Sequence, residues 1–130
     1  MPARERGAKC EVQAPTHDQQ RALHAYKCVG AVKQSEQKDY RNAVNGLGAT
    51  ILRSGLAAAM ALLERLGDRG ERLLEDLAGA KVPGLEGAAK HDLPNRVRAL
   101  GVAAYMTATR ETLETAAWLK RAAQATFGVD

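Results

Sequence analysis

Apolar residues along this chain recur every three or four positions and nowhere alternate, a pattern that predicts helices and no strands. Thr16-His17-Asp18-Gln19 has the form of a capping box, with Thr16 as N-cap and Gln19 reaching back. The helix it opens runs to about Val32, and Ala22, Ala25, Tyr26, Val29 and Val32 make its apolar stripe. Ser35 can cap a shorter second helix that turns Tyr40, Val44 and Leu47 inward. Gly46 and Gly48 then interrupt the pattern, and a long helix is predicted over 47–66. Its only charges are Arg53, Glu64 and Arg65, so it is apolar almost all round and belongs at the centre of a bundle. Thr50, Arg53, Ala57, Met60 and Glu64 form its least apolar line. Gly55 in its middle costs about 1 kcal/mol against Ala, which implies close packing of another helix and overpacking by any large substitute.

Gly67 ends that helix, and Asp68-Arg69-Gly70-Glu71 reads as a second capping box. It opens a short helix that buries Leu73, Leu74 and Leu77. Gly79, Pro83, Gly84 and Gly87 mark a loop to about His91. Asp92 can cap the next helix, with Pro94 in the first turn, where a missing N–H costs nothing. Val97, Leu100, Gly101, Ala104 and Tyr105 form its stripe, and Thr107 or Thr109 separates it from a final helix over 109–127. That final helix is unusual. At about 100° per residue, Leu113, Ala116, Ala117, Ala123 and Phe127 share a face, while Trp118, Ala122 and Ala125 lie nearly opposite. Either two sides are buried, or Trp118 points away from the core. Residues 1–15, with Pro2, Gly7 and Pro15 and no periodicity, read as a flexible arm. The expectation is one domain over 16–130, an all-α bundle of about five to seven helices.

The net charge of +4 is uneven. Residues 1–55 carry nine Lys/Arg against five Asp/Glu, residues 56–93 five against seven, and residues 94–130 five against three. A basic excess at both ends suits a phosphate-bearing partner, although a basic soluble surface has the same composition. Two cysteines, Cys10 and Cys28, are no disulfide framework and fit a reducing cytoplasm. The N-terminus lacks the apolar core of a signal peptide. The longest apolar run, 56–63, is too short to span a bilayer.

Signals of catalysis are poor. His17, His24 and Cys28 fall near one helical face and could begin a zinc site, but a closed site needs a fourth ligand, and no metal is expected. His91-Asp92 has no nucleophile motif to serve, since nothing of that kind surrounds Ser35 or Ser54. Glu111 and Glu114 read as partners of a helix dipole. No glycine-rich phosphate loop occurs, and no cofactor is expected.

Three segments nonetheless resemble one family. Ala25-Tyr26-Lys27-Cys28-Val29 is similar to an A-Y-x-x-V element, and residues 47–56 to an L-P-x-x-I-x-x-x-G-L helix start. Thr109, Glu111, Leu113, Trp118, Leu119, Lys120, Arg121 and Ala123 are similar to a T-x-E-x-L-x-x-x-x-W-L-K-R-x-A helix. Together, over residues 21–127, they resemble the small all-helical subunit of type III-B CRISPR effector complexes, the Cmr or RAMP-module complexes. Gly48 stands where the family usually has Pro, so a break between helices is expected there. The resemblance implies a non-catalytic subunit of an RNA-guided antiviral complex in the cytoplasm. It implies stacking with other Cmr subunits and with further copies of itself in the inner filament. It also implies contact with the crRNA and target RNA, and neither a membrane nor a small-molecule substrate. Phosphate contact needs only spread Lys and Arg, and the candidates are Arg21, Lys27, Arg53, Lys120 and Arg121. Lys120 and Arg121 are the only adjacent basic pair. Arg121 is expected to face outward, and Lys120 to be partly covered within the Leu113–Phe127 stripe. The aromatics sit at core spacing, so contact should be with the RNA backbone, insensitive to sequence. Two other uses of a small basic bundle remain: a helical protein–protein adaptor without nucleic acid, and a DNA-binding regulator. Acids at the start of the last helix count against the regulator.

Overall fold

A computed structural model of the chain describes residues 16–127, and within them lie six α-helices, one 3-10 turn and no strand. The arm over 1–15 falls outside the described residues. Helix α1 (His17–Gly30) opens with the expected capping box: Thr16 Oγ1 accepts the Gln19 N–H at 3.1 Å, and Gln19 Oε1 accepts that of Thr16 at 2.8 Å. Ala25, Cys28 and Val29 are its buried residues, with Val32 buried just beyond its end. Tyr26, expected in the stripe, is instead 46% exposed, because the inward face is centred on Cys28.

A 3-10 turn (Gln34–Glu36), preceded by Lys33 rather than capped by Ser35, leads into α2 (Gln37–Ser54). Tyr40, Val44, Leu47 and Ile51 are buried as one stripe. The helix runs straight through Gly46 and Gly48, so no break occurs there. The break falls at Gly55, whose φ of 95° and ψ of 162° are open essentially to glycine alone. Helix α3 (Leu56–Leu66) starts afresh beyond it. The supposed polar line across 50–64 therefore does not exist: Met60 is fully buried, and Arg53 is exposed in the last turn of α2, where a cation complements the helix dipole. Gly55 is needed for its backbone angles, not for contact between helix backbones. Its corner is closed from a distance, since the Ala57 N–H donates to the Tyr105 hydroxyl at 2.9 Å.

Helix α4 (Asp68–Gly79) follows Gly67, which takes the cap position; Asp68 lies inside the helix and makes no capping bond. Leu73, Leu74 and Leu77 are buried as expected. In the loop 80–92, Val82, Leu85 and Ala88 turn into the core. Lys81 is the only described non-glycine residue at positive φ, 55°, a conformation costing an L-residue about 1 kcal/mol. The short α5 (Leu93–Ala99) has Pro94 in its first turn, and Leu100 is extended.

Helix α6 (Val102–Phe127) is a single element of 26 residues, about 39 Å long. Neither Thr107 nor Thr109 divides it. The Thr109 hydroxyl donates to the Tyr105 carbonyl at 2.8 Å and that of Thr115 to Glu111 at 3.0 Å, so these threonines find partners within the helix. Its buried face is Ala108, Thr112, Thr115, Ala116, Leu119, Ala122 and Ala123. Leu113, Trp118 and Phe127 are only half buried and flank that face. The inward stripe is thus the small-residue one, on which α1 and α2 can approach closely. No helix among those described is long and apolar enough to cross a membrane.

A polar pin joins α1, α2 and α4 beneath this layer. The buried Asp76 carboxylate accepts the Tyr40 hydroxyl at 2.6 Å and the Arg72 Nε–H at 3.3 Å. Arg72 also donates to the Cys28 carbonyl at 3.3 Å, and His24 Nε2 lies 2.8 Å from the Asp76 carbonyl. Desolvation raises the Asp76 pKa, opposed by the bonds from Tyr40 and the charge of Arg72. Burial, then the Asp76 charge, pushes the Cys28 thiol up to about 12 and the Tyr40 phenol upward too.

Gly55→Ala should destabilise the protein by about 1–3 kcal/mol, since the backbone angles exclude a side chain and the new Cβ would meet the Tyr105 hydroxyl at 3.3 Å. A thermal melt equal to wild type would show that the corner tolerates a Cβ. Asp76 generates a second expectation. Its folded pKa is raised above the ordinary 3.8, so its contribution is fully present below 3.8 and is lost as pH rises through the folded value. Urea denaturation across pH should show wild type losing stability relative to Asp76→Asn between acid and neutral pH. A gap that stays constant, or grows in favour of wild type, would refute dominance by desolvation.

Candidate nucleic-acid interface

The seam between α1 and α6 gathers the richest surface chemistry. Trp118 Nε1 donates to Asp18 Oδ1 at 2.8 Å, which settles where the off-stripe indole goes: it lies over the start of α1 with its polar edge satisfied. Asp18 is also 3.9 Å from Arg21 Nη1, and Arg21 Nη2 donates to Glu111. On the outer side the Arg121 guanidinium stacks over the Trp118 ring, 4.8 Å from its centroid. Asp18, Arg21, Glu111, Trp118 and Arg121 thus form one network held by two helices.

The five basic candidates do not converge. Arg21 and Arg121 are linked through Asp18 and Trp118, with Lys120 beside them in sequence. Arg21 is only 18% exposed along its side chain and already neutralised by Glu111, so it is the least available of the five. Lys27 is exposed on α1, about 9 Å along the axis from Arg21. Arg53 lies near the Tyr105 end of α6, about 22 Å of helix from Lys120. Lys120 is exposed, not covered, because the inward face of α6 is turned away from the Leu113–Phe127 stripe. Arg121 is exposed as expected. Glu111 and Glu114 sit mid-helix and not at its start, so Glu111 serves Arg21, not a helix dipole, and the acids carry no weight against a regulator.

A cavity of about 150 Å³ opens beside this network, walled by α1, the chain after α4 and α6. His17, Arg21, His24, Lys81, Glu111 and Thr115 line it. Sequence spacing presents His17 and His24 only as metal ligands and gives no sign of Lys81, since nothing local brings residue 81 to α1. Among the described residues no three His, Cys, Asp or Glu side chains are arranged to hold a metal. A second, more apolar groove of about 220 Å³ runs between α2 and α3, lined by Ala43, Leu47, Ala59, Leu62, Leu63 and Leu66 among others. Leu23, Tyr26, Leu52, Val102 and Met106 are large apolar residues left exposed.

The family model described as CRISPR-associated protein (Cas_Cmr5) matches residues 17–126. The chain is similar to the X-ray crystal structure of a CRISPR-associated Cmr5 family protein from Thermus thermophilus. The two share 31% identity with a TM-score of 0.75, over 85% of this chain and 97% of that one. Comparison with curated proteins finds no match.

Arg21→Ala should cost about 1–3 kcal/mol, because it strands the partly buried Glu111 carboxylate. Lys27→Ala should stay within about 0.5 kcal/mol of wild type. Equal midpoints for both variants in denaturant would show that the Arg21–Glu111 pair is not structural.

Proposed function

The chain belongs to the Cas_Cmr5 family of CRISPR-associated proteins, and from that premise we propose that it is a non-catalytic small subunit of a type III-B, RNA-guided Cmr complex, working in the cytoplasm. In this reading it stacks in the inner filament with copies of itself and other subunits, and it touches the crRNA and target RNA through their phosphates. The observation that carries the RNA contact is the exposed Lys120–Arg121 pair. Stacking on Trp118 holds Arg121 in place without consuming its hydrogen-bond donors, and Trp118 is itself anchored by Asp18. A guanidinium so placed meets a phosphate with little loss of side-chain freedom.

The aromatics favour backbone contact over base reading. Tyr40 and Phe127 pack edge to face at 6.2 Å, the Tyr105 hydroxyl is spent on Ala57, and Arg121 covers Trp118. Tyr26 alone stands open, and one ring is no platform for successive bases. The exposed Leu23, Leu52, Val102 and Met106 supply apolar area for protein neighbours. They also favour a second reading, an adaptor that touches protein only.

Filter binding of target RNA to the assembled complex over a salt series separates the two. Arg121→Glu and Lys120→Glu should weaken RNA binding and flatten its salt dependence, with the monomer's melting temperature unchanged. If complexes carrying both variants assemble and keep the wild-type RNA affinity and salt dependence, the adaptor reading holds.

A further inference from the structure

The cavity between α1, the chain after α4 and α6 shares Arg21 and Glu111 with the network that supports Arg121, and its wall is held in place. His24 closes one side. Its ring is tied to the Asp76 carbonyl at 2.8 Å and packs so near Gly79 that a Cβ there would stand 3.2 Å from Cε1. Arg21 closes another side, steadied by Glu111. Lys81 also lines it, in the left-handed backbone region that glycine would occupy without strain. The position directly follows the end of α4, where glycine is the common residue. Strain kept at a residue that lines a cavity bearing charged side chains points to a use for its own. Among the described residues Lys81 makes no ion pair, so its ammonium is available to a ligand.

The geometry points to this cavity as a seat for one phosphodiester of the bound RNA, with Lys81 as the contacting cation and Arg21 and His17 at its sides. The inference rests on the RNA-binding reading above and adds to it a second contact, at Lys81, beside the network of the Trp118 stack. The carboxylate in the wall does not oppose it, because Glu111 is matched to Arg21. The guanidinium has five N–H donors, of which the Glu111 bond uses one. The lining offers one cation without an ion pair, the Lys81 ammonium, with the donors that Arg21 has left and two imidazoles beside it, which suits a single anion. No Phe, Tyr or Trp lines it, so a base meets no aromatic platform of that kind.

The test uses the assembled complex and a target RNA of fixed sequence, titrated over a salt series, with Lys81→Gln, Lys81→Gly and Lys81→Arg. Gln keeps the backbone demand and removes the charge; Gly removes both; Arg keeps both. Gln and Gly should weaken binding several-fold and reduce the slope of log affinity against log salt by about 0.7–0.9, the loss of one phosphate contact. Arg should retain the wild-type slope. Lys81→Gly alone should also melt at or above the wild-type temperature, since it relieves the backbone. If Gln and Gly bind with wild-type affinity and slope while Arg121→Glu weakens binding, the cavity is not a phosphate seat and the RNA reading stands. If the complex binds RNA equally well with and without this subunit, the RNA reading fails and the cavity inference with it.

Discussion

The buried Asp76 carboxylate is the constraint on which the arrangement of the bundle depends. It lies where α1, α2 and α4 meet, and each helix is tied to it or to its own backbone carbonyl. A carboxylate in such a place is costly unless its lone pairs are filled, and the Tyr40 hydroxyl and the Arg72 guanidinium fill them. Arg72 lies one turn before Asp76 on the same helix, so the ties between helices are those of Tyr40 from α2, of His24 from α1 and of Arg72 to the Cys28 carbonyl. Its influence reaches the surface through His24, which belongs both to the pin and to the wall of the cavity that Lys81 lines.

Helix α6 does for the opposite side of the bundle what Asp76 does beneath. Its buried face is mostly alanine and threonine, so helix backbones rather than long side chains come together there. The larger residues are displaced to the flanks, where Phe127 meets Tyr40 and Trp118 reaches Asp18. That displacement is why the one tryptophan is available at the surface to support Arg121.

Much of this is legible in the chain. The capping box at Thr16, the stripes of α2 and α4, and the all-helical class follow from local periodicity, and periodicity is a local property. The departures share a cause. Large apolar side chains ordinarily mark the inside of a helix, whereas in α6 small ones do. Gly46, Gly48, Thr107 and Thr109 look like breaks, but a helix held on both sides by neighbours tolerates glycine and lets threonine bond back to its own turn. Gly55 stands out in the sequence for the wrong reason, because a backbone angle leaves no trace in a hydropathy pattern. The seam is half visible: Trp118 and Arg121 stand out, but Asp18, Glu111 and Lys81 join the same region across separations that spacing does not encode.

The corner at Gly55 bears on the order of folding. The N–H that opens α3 is satisfied by the hydroxyl of Tyr105, 48 residues further along the chain. As the polypeptide emerges from the ribosome, α2 and α3 are complete long before that hydroxyl exists. Until α6 arrives, the corner lacks its latch, and the small-residue face that receives α1 and α2 is missing too. The N-terminal helices thus wait on a contact of high sequence separation, in a helical class whose contacts are otherwise largely local. Closure of the bundle is therefore a late, C-terminal event.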